Sequence, residues 1–139
     1  MNDNDQQSAP TTQPSAQPTN VLIIEDEVFI SDLYVRTLEK SGYNVTVVGD
    51  GNEALAQAQT DTYDIILLDI MIPNLTGTEI LRRLREPGQP PKLHAKIIVT
   101  TNLELADGAR DEIESRADGY IVKAEVTPRE LAAFLDTLR

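Results

Sequence analysis

The sequence has no cysteine among its 139 residues, which excludes a disulfide framework and a thiolate metal site and fits a reducing, cytoplasmic setting. It has no apolar run long enough to cross a bilayer. Its N-terminus lacks the basic segment and apolar core of a secretion signal, so no membrane association is expected. Basic residues are few: 12 Lys and Arg against 23 Asp and Glu leave a formal net charge of −11. The cationic footprint that a phosphate backbone requires is missing, and nucleic acid is not an expected partner. Histidine is reduced to His94, which sits in a proline-rich loop without a nucleophile nearby in sequence and reads as a solvated loop residue. The first 19 residues, MNDNDQQSAPTTQPSAQPT, offer almost nothing to bury. They are expected to form a disordered tail ahead of a single domain over 20–139.

From Asn20 onward, short apolar runs alternate with helical patterns. VLII is a first strand, followed by a helix with Val28, Phe29, Leu33, Tyr34 and Leu38 at helical spacing and a stop at Gly42. YNVTVV is a second strand, after which Asp50 and Glu53 form a capping-box pattern. YDIILLD, KIIVTT and GYIVK are the third to fifth strands, and Thr127-Pro128-Arg129-Glu130 opens a last helix. Leu81, Leu84, Leu131, Phe134, Leu135 and Leu138 are expected to face the core. Arg82, Arg83 and Arg85 read as a solvated helix face, and Gly77 as a turn or close-packing glycine. Five β-α units imply right-handed crossovers and a parallel sheet covered on both faces. The natural candidate is an α/β flavodoxin-like, doubly wound sheet of order 2-1-3-4-5, with ligands at the carboxyl ends of its strands.

Those ends carry a specific set of groups. The first strand ends in Glu25-Asp26 followed by Glu27, the third in Asp69, the fourth in Thr100-Thr101-Asn102 and the fifth in Lys123. Unpaired carboxylates on one sheet edge would raise one another's pKa. A hard divalent cation such as Mg²⁺, with oxygen ligands and retained waters, removes the conflict. Lys123 could neutralise Asp69 in the empty state and hold a phosphoryl oxygen in the loaded one, with a threonine hydroxyl donating to another. An aspartate can act as a nucleophile toward phosphoryl groups, and the remaining work is positioning and charge neutralisation.

The ordered set LIIEDE, IILLDIMIPNLTG, IIVTTN and GYIVK resembles the receiver domain of two-component response regulators, including stand-alone chemotaxis-type receivers. The resemblance implies that Asp69 is the phosphoacceptor and that Asp26 and Asp69 ligate Mg²⁺ directly. It adds the Met71 backbone carbonyl as a ligand and Glu25 as one acting through water. It makes Thr101 the switch threonine, in preference to Thr100, Tyr120 the switch aromatic (plain core being the alternative) and Lys123 the phosphoryl-binding lysine. Met71 and Leu103 occupy positions that tune the lifetime of the phosphorylated state. Three departures stand out, one of them the long EPGQPPKLHA loop. Asn102 replaces a usually small residue, and Ala124 replaces the proline that usually follows the lysine, so the Lys123–Ala124 bond is expected to be trans and the next loop to run differently.

The expected function is a phosphoacceptor switch, loaded by a sensor histidine kinase or phosphotransfer protein. It would not be an enzyme beyond its own phosphorylation and dephosphorylation. Because the sequence stops after its fifth helix, output is expected through a protein bound at 106–139. A degenerate receiver acting as a scaffold is the first alternative. A haloacid-dehalogenase-type phosphatase is the second, disfavoured because Met71 stands where that chemistry wants a second aspartate.

Overall fold

The computed structural model describes residues 18–86, 93–102 and 107–139. Nearly all of the expected tail, the centre of the proline-rich loop, Leu103 and Ala106 lie outside the described residues. Five strands, β1 (Asn20–Ile24), β2 (Asn44–Val48), β3 (Ile65–Asp69), β4 (Lys96–Thr101) and β5 (Gly119–Val122), form one sheet of order β2-β1-β3-β4-β5. Every neighbouring pair is parallel, which is the expected doubly wound order. The helices are α1 (Val28–Lys40), α2 (Gly51–Ala58), α3 (Gly77–Leu84), α4 (Asp107–Arg116) and α5 (Pro128–Asp136). Pairing reaches one residue into the expected tail, since the Thr19 carbonyl accepts from Asn44 N at 3.0 Å.

The central strands are apolar throughout because both faces of the sheet are covered. Leu22, Ile24, Ile66, Leu68, Ile97 and Val99 meet residues of α2, α3 and α4 on one face. Val21, Ile23, Ile65, Leu67 and Ile98 meet Tyr34 and Leu38 of α1 and Leu131 and Leu135 of α5 on the other. Each such side chain contributes on the order of 1.5–3 kcal/mol by leaving water. Thr127 and Glu130 make the full reciprocal capping box of α5. At α2, Asp50 accepts from Glu53 N, which is one half of the expected pattern. Tyr43, just before β2, donates its hydroxyl to Asp136 of α5 at 2.7 Å.

Several side chains differ from expectation. On α1, Tyr34 and Leu38 are buried, but Val28, Phe29 (78% exposed) and Leu33 face solvent. At 100° per residue, Phe29 and Leu33 lie about half a turn round the helix from Ser31 and Leu38, which are buried. The apolar spacing therefore described two faces rather than one. Phe134 is 36% exposed instead of core-facing, while Leu81, Leu84, Leu131 and Leu135 are buried as expected and Leu138 partly so.

Arg82 and Arg83 are exposed and paired with Glu79 and Glu112. Arg85 is not part of that face: its side chain is only 16% exposed. It donates to the carbonyls of Arg116, Leu93 and Ala95 and to the Asp118 carboxylate at 2.9 Å. It thereby ties the end of α3 to the approaches of β4 and β5. His94 is exposed, with Nδ1 2.8 Å from Asp61 Oδ1 and Nε2 3.4 Å from Asp64 Oδ1.

Candidate functional site

Asp69 is the last residue of β3 and is buried, although it is a carboxylate. Parallel pairing with β1 and β4 brings the ends of those strands beside it. Glu25, just past β1, is also buried, whereas Asp26 is exposed. Lys123, just past β5, reaches back over the sheet edge and donates to Glu25 Oε1 at 2.8 Å and Asp69 Oδ2 at 3.1 Å. The second oxygen of each carboxylate is also used: Glu25 Oε2 accepts from Glu27 N at 3.1 Å, and Asp69 Oδ1 from Met71 N at 3.1 Å. After Lys123 the chain makes a single 3₁₀ turn, Lys123–Glu125.

One ammonium thus serves two buried carboxylates, and the charges respond. Burial pushes the Glu25 carboxyl up; its hydrogen bond from Lys123 pulls the other way, and the Asp69 charge adds to the rise. Burial would lower Lys123, but the hydrogen bond to Glu25 and the two nearby carboxylates outweigh it and hold the lysine above its ordinary value. The lysine stays charged. Oxygens of Glu25, Asp26 and Asp69 lie within 4.8 Å of one another. An all-carboxylate donor set with one exposed member fits a hard, partly hydrated divalent cation such as Mg²⁺.

A cleft of about 300 Å³ opens here, lined by Asp26, Glu27, Asp69, Met71, Thr101, Asn102 and Lys123. Larger hollows of about 500 and 730 Å³ lie at Asp64, His94 and Arg139 and between α1 and α5. Among the described residues neither gathers the carboxylate cluster, so chemistry rather than volume marks the smaller cleft. Thr100 and Thr101 are both buried, and it is Thr101 that lines the cleft. Tyr120 stands apart from it, half-buried against the α2–α4 core, with the Arg110 guanidinium 5.0 Å from its ring centre. Gly77 lets α3 start against β3: a Cβ there would lie 2.3 Å from the Asp69 carbonyl oxygen. Leu103, expected with Met71 to tune lifetime, lies outside the described residues, while Met71 lines the cleft with its side chain exposed. Glu27, which the sequence placed beside the acidic pair at the strand end but gave no role, also lines the cleft.

The model of the response regulator receiver domain matches residues 21–136. The sensory transduction protein RegX3 of Mycolicibacterium smegmatis is 37% identical over 83% of this chain and 48% of its own length. The alkaline phosphatase synthesis transcriptional regulatory protein PhoP of Bacillus subtilis is 38% identical over 81% of this chain and 45% of its own length. The chain spans about half the length of these curated relatives. Among solved structures, the chemotaxis protein CheY4 of Vibrio cholerae is 30% identical, with a TM-score of 0.74 over 88% of this chain and all of that one.

Proposed function

The chain belongs to the response regulator receiver family of two-component signalling, and we propose that it works there as a switch carrying a phosphoryl group on Asp69. The observation that carries this reading is Lys123 held between buried Glu25 and Asp69, with exposed Asp26 beside them. An Asp69 oxygen attacks the phosphorus of a phosphohistidine. The oxygen–phosphorus bond forms, the nitrogen–phosphorus bond breaks, and the imidazole nitrogen keeps the electron pair. Lys123 moves its hydrogen bond from carboxylate to phosphoryl oxygen, and Thr101 donates to another oxygen. Asp26, Asp69, the Met71 carbonyl and, through water, Glu25 would hold Mg²⁺, which supplies neutralisation of the phosphoryl charge.

The donor is a sensor histidine kinase or phosphotransfer protein in the cytoplasm. It docks over exposed apolar side chains: Met71, which lines the cleft, and Val28 and Phe29, which follow the cleft-lining Glu27 in sequence. Output passes to a downstream protein through 106–139, where α4, β5 and α5 lie, as Thr101 and Tyr120 respond to the phosphoryl group. The protein performs no turnover beyond its own loading and hydrolysis. Incubation with acetyl phosphate and Mg²⁺ should add one phosphoryl mass to the wild type and none to Asp69→Asn. Equal labelling of the variant, full labelling in EDTA, or turnover of a phosphomonoester would overturn the reading.

A further inference from the structure

The loop from Ile70 to Thr76 brings the Met71 amide to Asp69, and its conformation is fixed from outside the cleft. Ile70 and Ile72 are buried and anchor its base. At its tip Asn74 takes a left-handed conformation, φ 75°, which asparagine tolerates better than most residues. The Asn74 side-chain amide donates to Asp50 Oδ1. The other oxygen, Oδ2, caps α2 by accepting from Glu53 N at 3.0 Å. Next to it, Gly51 N donates to the Pro73 carbonyl at 3.0 Å, and a Cβ on Gly51 would lie 2.2 Å from the Leu75 carbonyl oxygen. The start of α2 is therefore seated directly on the loop. Capping α2 needs one acceptor oxygen, which a serine would supply; the second carboxylate oxygen of Asp50 serves the loop. Neither Asp50 nor Asn74 lines the cleft.

We infer that Asp50 and Asn74 are positioning residues, which hold the acceptor loop in the one conformation where the Met71 backbone meets Asp69 and the divalent cation. The inference rests on Asp69 being the acceptor. It deepens that reading by naming the device that sets cation affinity from a neighbouring helix. Without the tether, the tip loses its only cross-link to α2 through side chains among the described residues. The Met71 amide and carbonyl then sample orientations that neither donate to Asp69 nor face the ion.

Two variants separate this role from helix capping. Asp50→Ser keeps a capping oxygen and removes the acceptor for Asn74. Asn74→Gly keeps the left-handed backbone and removes the amide. In the ¹⁵N-labelled full chain, solvent exchange of the Met71 amide proton in metal-free buffer and Mg²⁺ titration by amide shifts are read alongside thermal unfolding. Each variant should speed Met71 exchange and weaken Mg²⁺ binding about three- to tenfold, the net worth of one ordinary hydrogen bond. The double variant should do no worse than either single one, because one contact is removed in all three. Exchange in β1 and β3 should not change. Unaltered Met71 exchange in both variants, or losses that add in the double variant, would overturn the inference. A wild type that binds no Mg²⁺ at Asp26 and Asp69, with Met71 exchange still responding, would sink the functional reading and leave the tether standing.

Discussion

The two ends of the sheet use the same residue types in opposite ways. At the carboxyl end, the side chains of Glu25, Asp69 and Lys123 are 2%, 5% and 7% exposed. At the amino end, His94 meets Asp61 and Asp64 with 55% of its side chain in water, and Arg85 meets Asp118 and three carbonyls. The amino-end pairs fasten the loops before β3, β4 and β5, and their partners either match in number or are well solvated. The carboxyl-end cluster has one cation for two buried carboxylates. Such a mismatch costs stability, and it leaves room for a further cation and for a group that takes over the lysine.

Lys123→Ala tests the contrast hardest. Removing the shared ammonium should cost about 3–5 kcal/mol at pH 7. Glu25 already has a raised pKa, chiefly from burial, and loses its main counter-influence. A carboxyl raised on folding contributes stability that is complete below its unfolded value, near 4.5, and is lost as pH climbs through the folded value. Urea unfolding should therefore show a smaller deficit at pH 5 than at pH 7, and equal deficits would break the claim of a mismatched cluster.

Arg85→Ala should cost about 2–3 kcal/mol by stranding partly buried carbonyls and Asp118. A loss under 1 kcal/mol would return Arg85 to the solvated face on which sequence alone put it. If Asp69 carries the phosphoryl group as proposed, neither Met71 nor Leu103 has a side chain that can orient a hydrolytic water by hydrogen bonds. Met71→Asn/Leu103→Glu should shorten the phosphorylated state on the order of tenfold, measured as decay after donor removal; unchanged decay assigns the lifetime elsewhere.

The smallest effect belongs to His94. Burial is the largest single influence and lowers its pKa, but the hydrogen bonds and charges of Asp61 and Asp64 together outweigh it and raise it above 6.5. Its contribution is complete below the unfolded value and fades as pH rises through the folded one. Because the group is exposed, His94→Gln should cost within about 0.5 kcal/mol at pH 6, and 1 M salt should erase the difference. A larger or salt-resistant cost would mean that the amino end is not solvated in the way described.

Strand order and the gathering of Glu25, Asp26, Asp69, Thr101 and Lys123 were legible in sequence because parallel β-α units leave few topologies and send strand ends to one edge. That Thr101 rather than Thr100 lines the cleft was legible through the family resemblance. Exposure on helices was less so. Val28, Phe29 and Leu33 keep helical spacing with one another, and nothing in the pattern says which of two apolar stripes finds the sheet. Arg85 follows two solvated arginines, and its inward turn is set by carbonyls of Leu93, Ala95 and Arg116, which only the fold brings near. The Asp50–Asn74 contact joins residues 24 apart in sequence, where a capping pattern already accounted for Asp50.

The α5 helix closes the sheet over β1, and this bears on how the chain is made. Val21 and Ile23 emerge early from the ribosome, yet Leu131 and Leu135, which cover them, are among the last described residues to appear. Until then that face has only Tyr34 and Leu38 of α1 over it, and Tyr43 has no Asp136 to bind. Non-local parallel pairing folds slowly for its size, and uncovered apolar strands invite association. Nascent chains halted before Pro128 should therefore remain protease-sensitive and chaperone-bound, with protection arriving abruptly once α5 clears the exit tunnel.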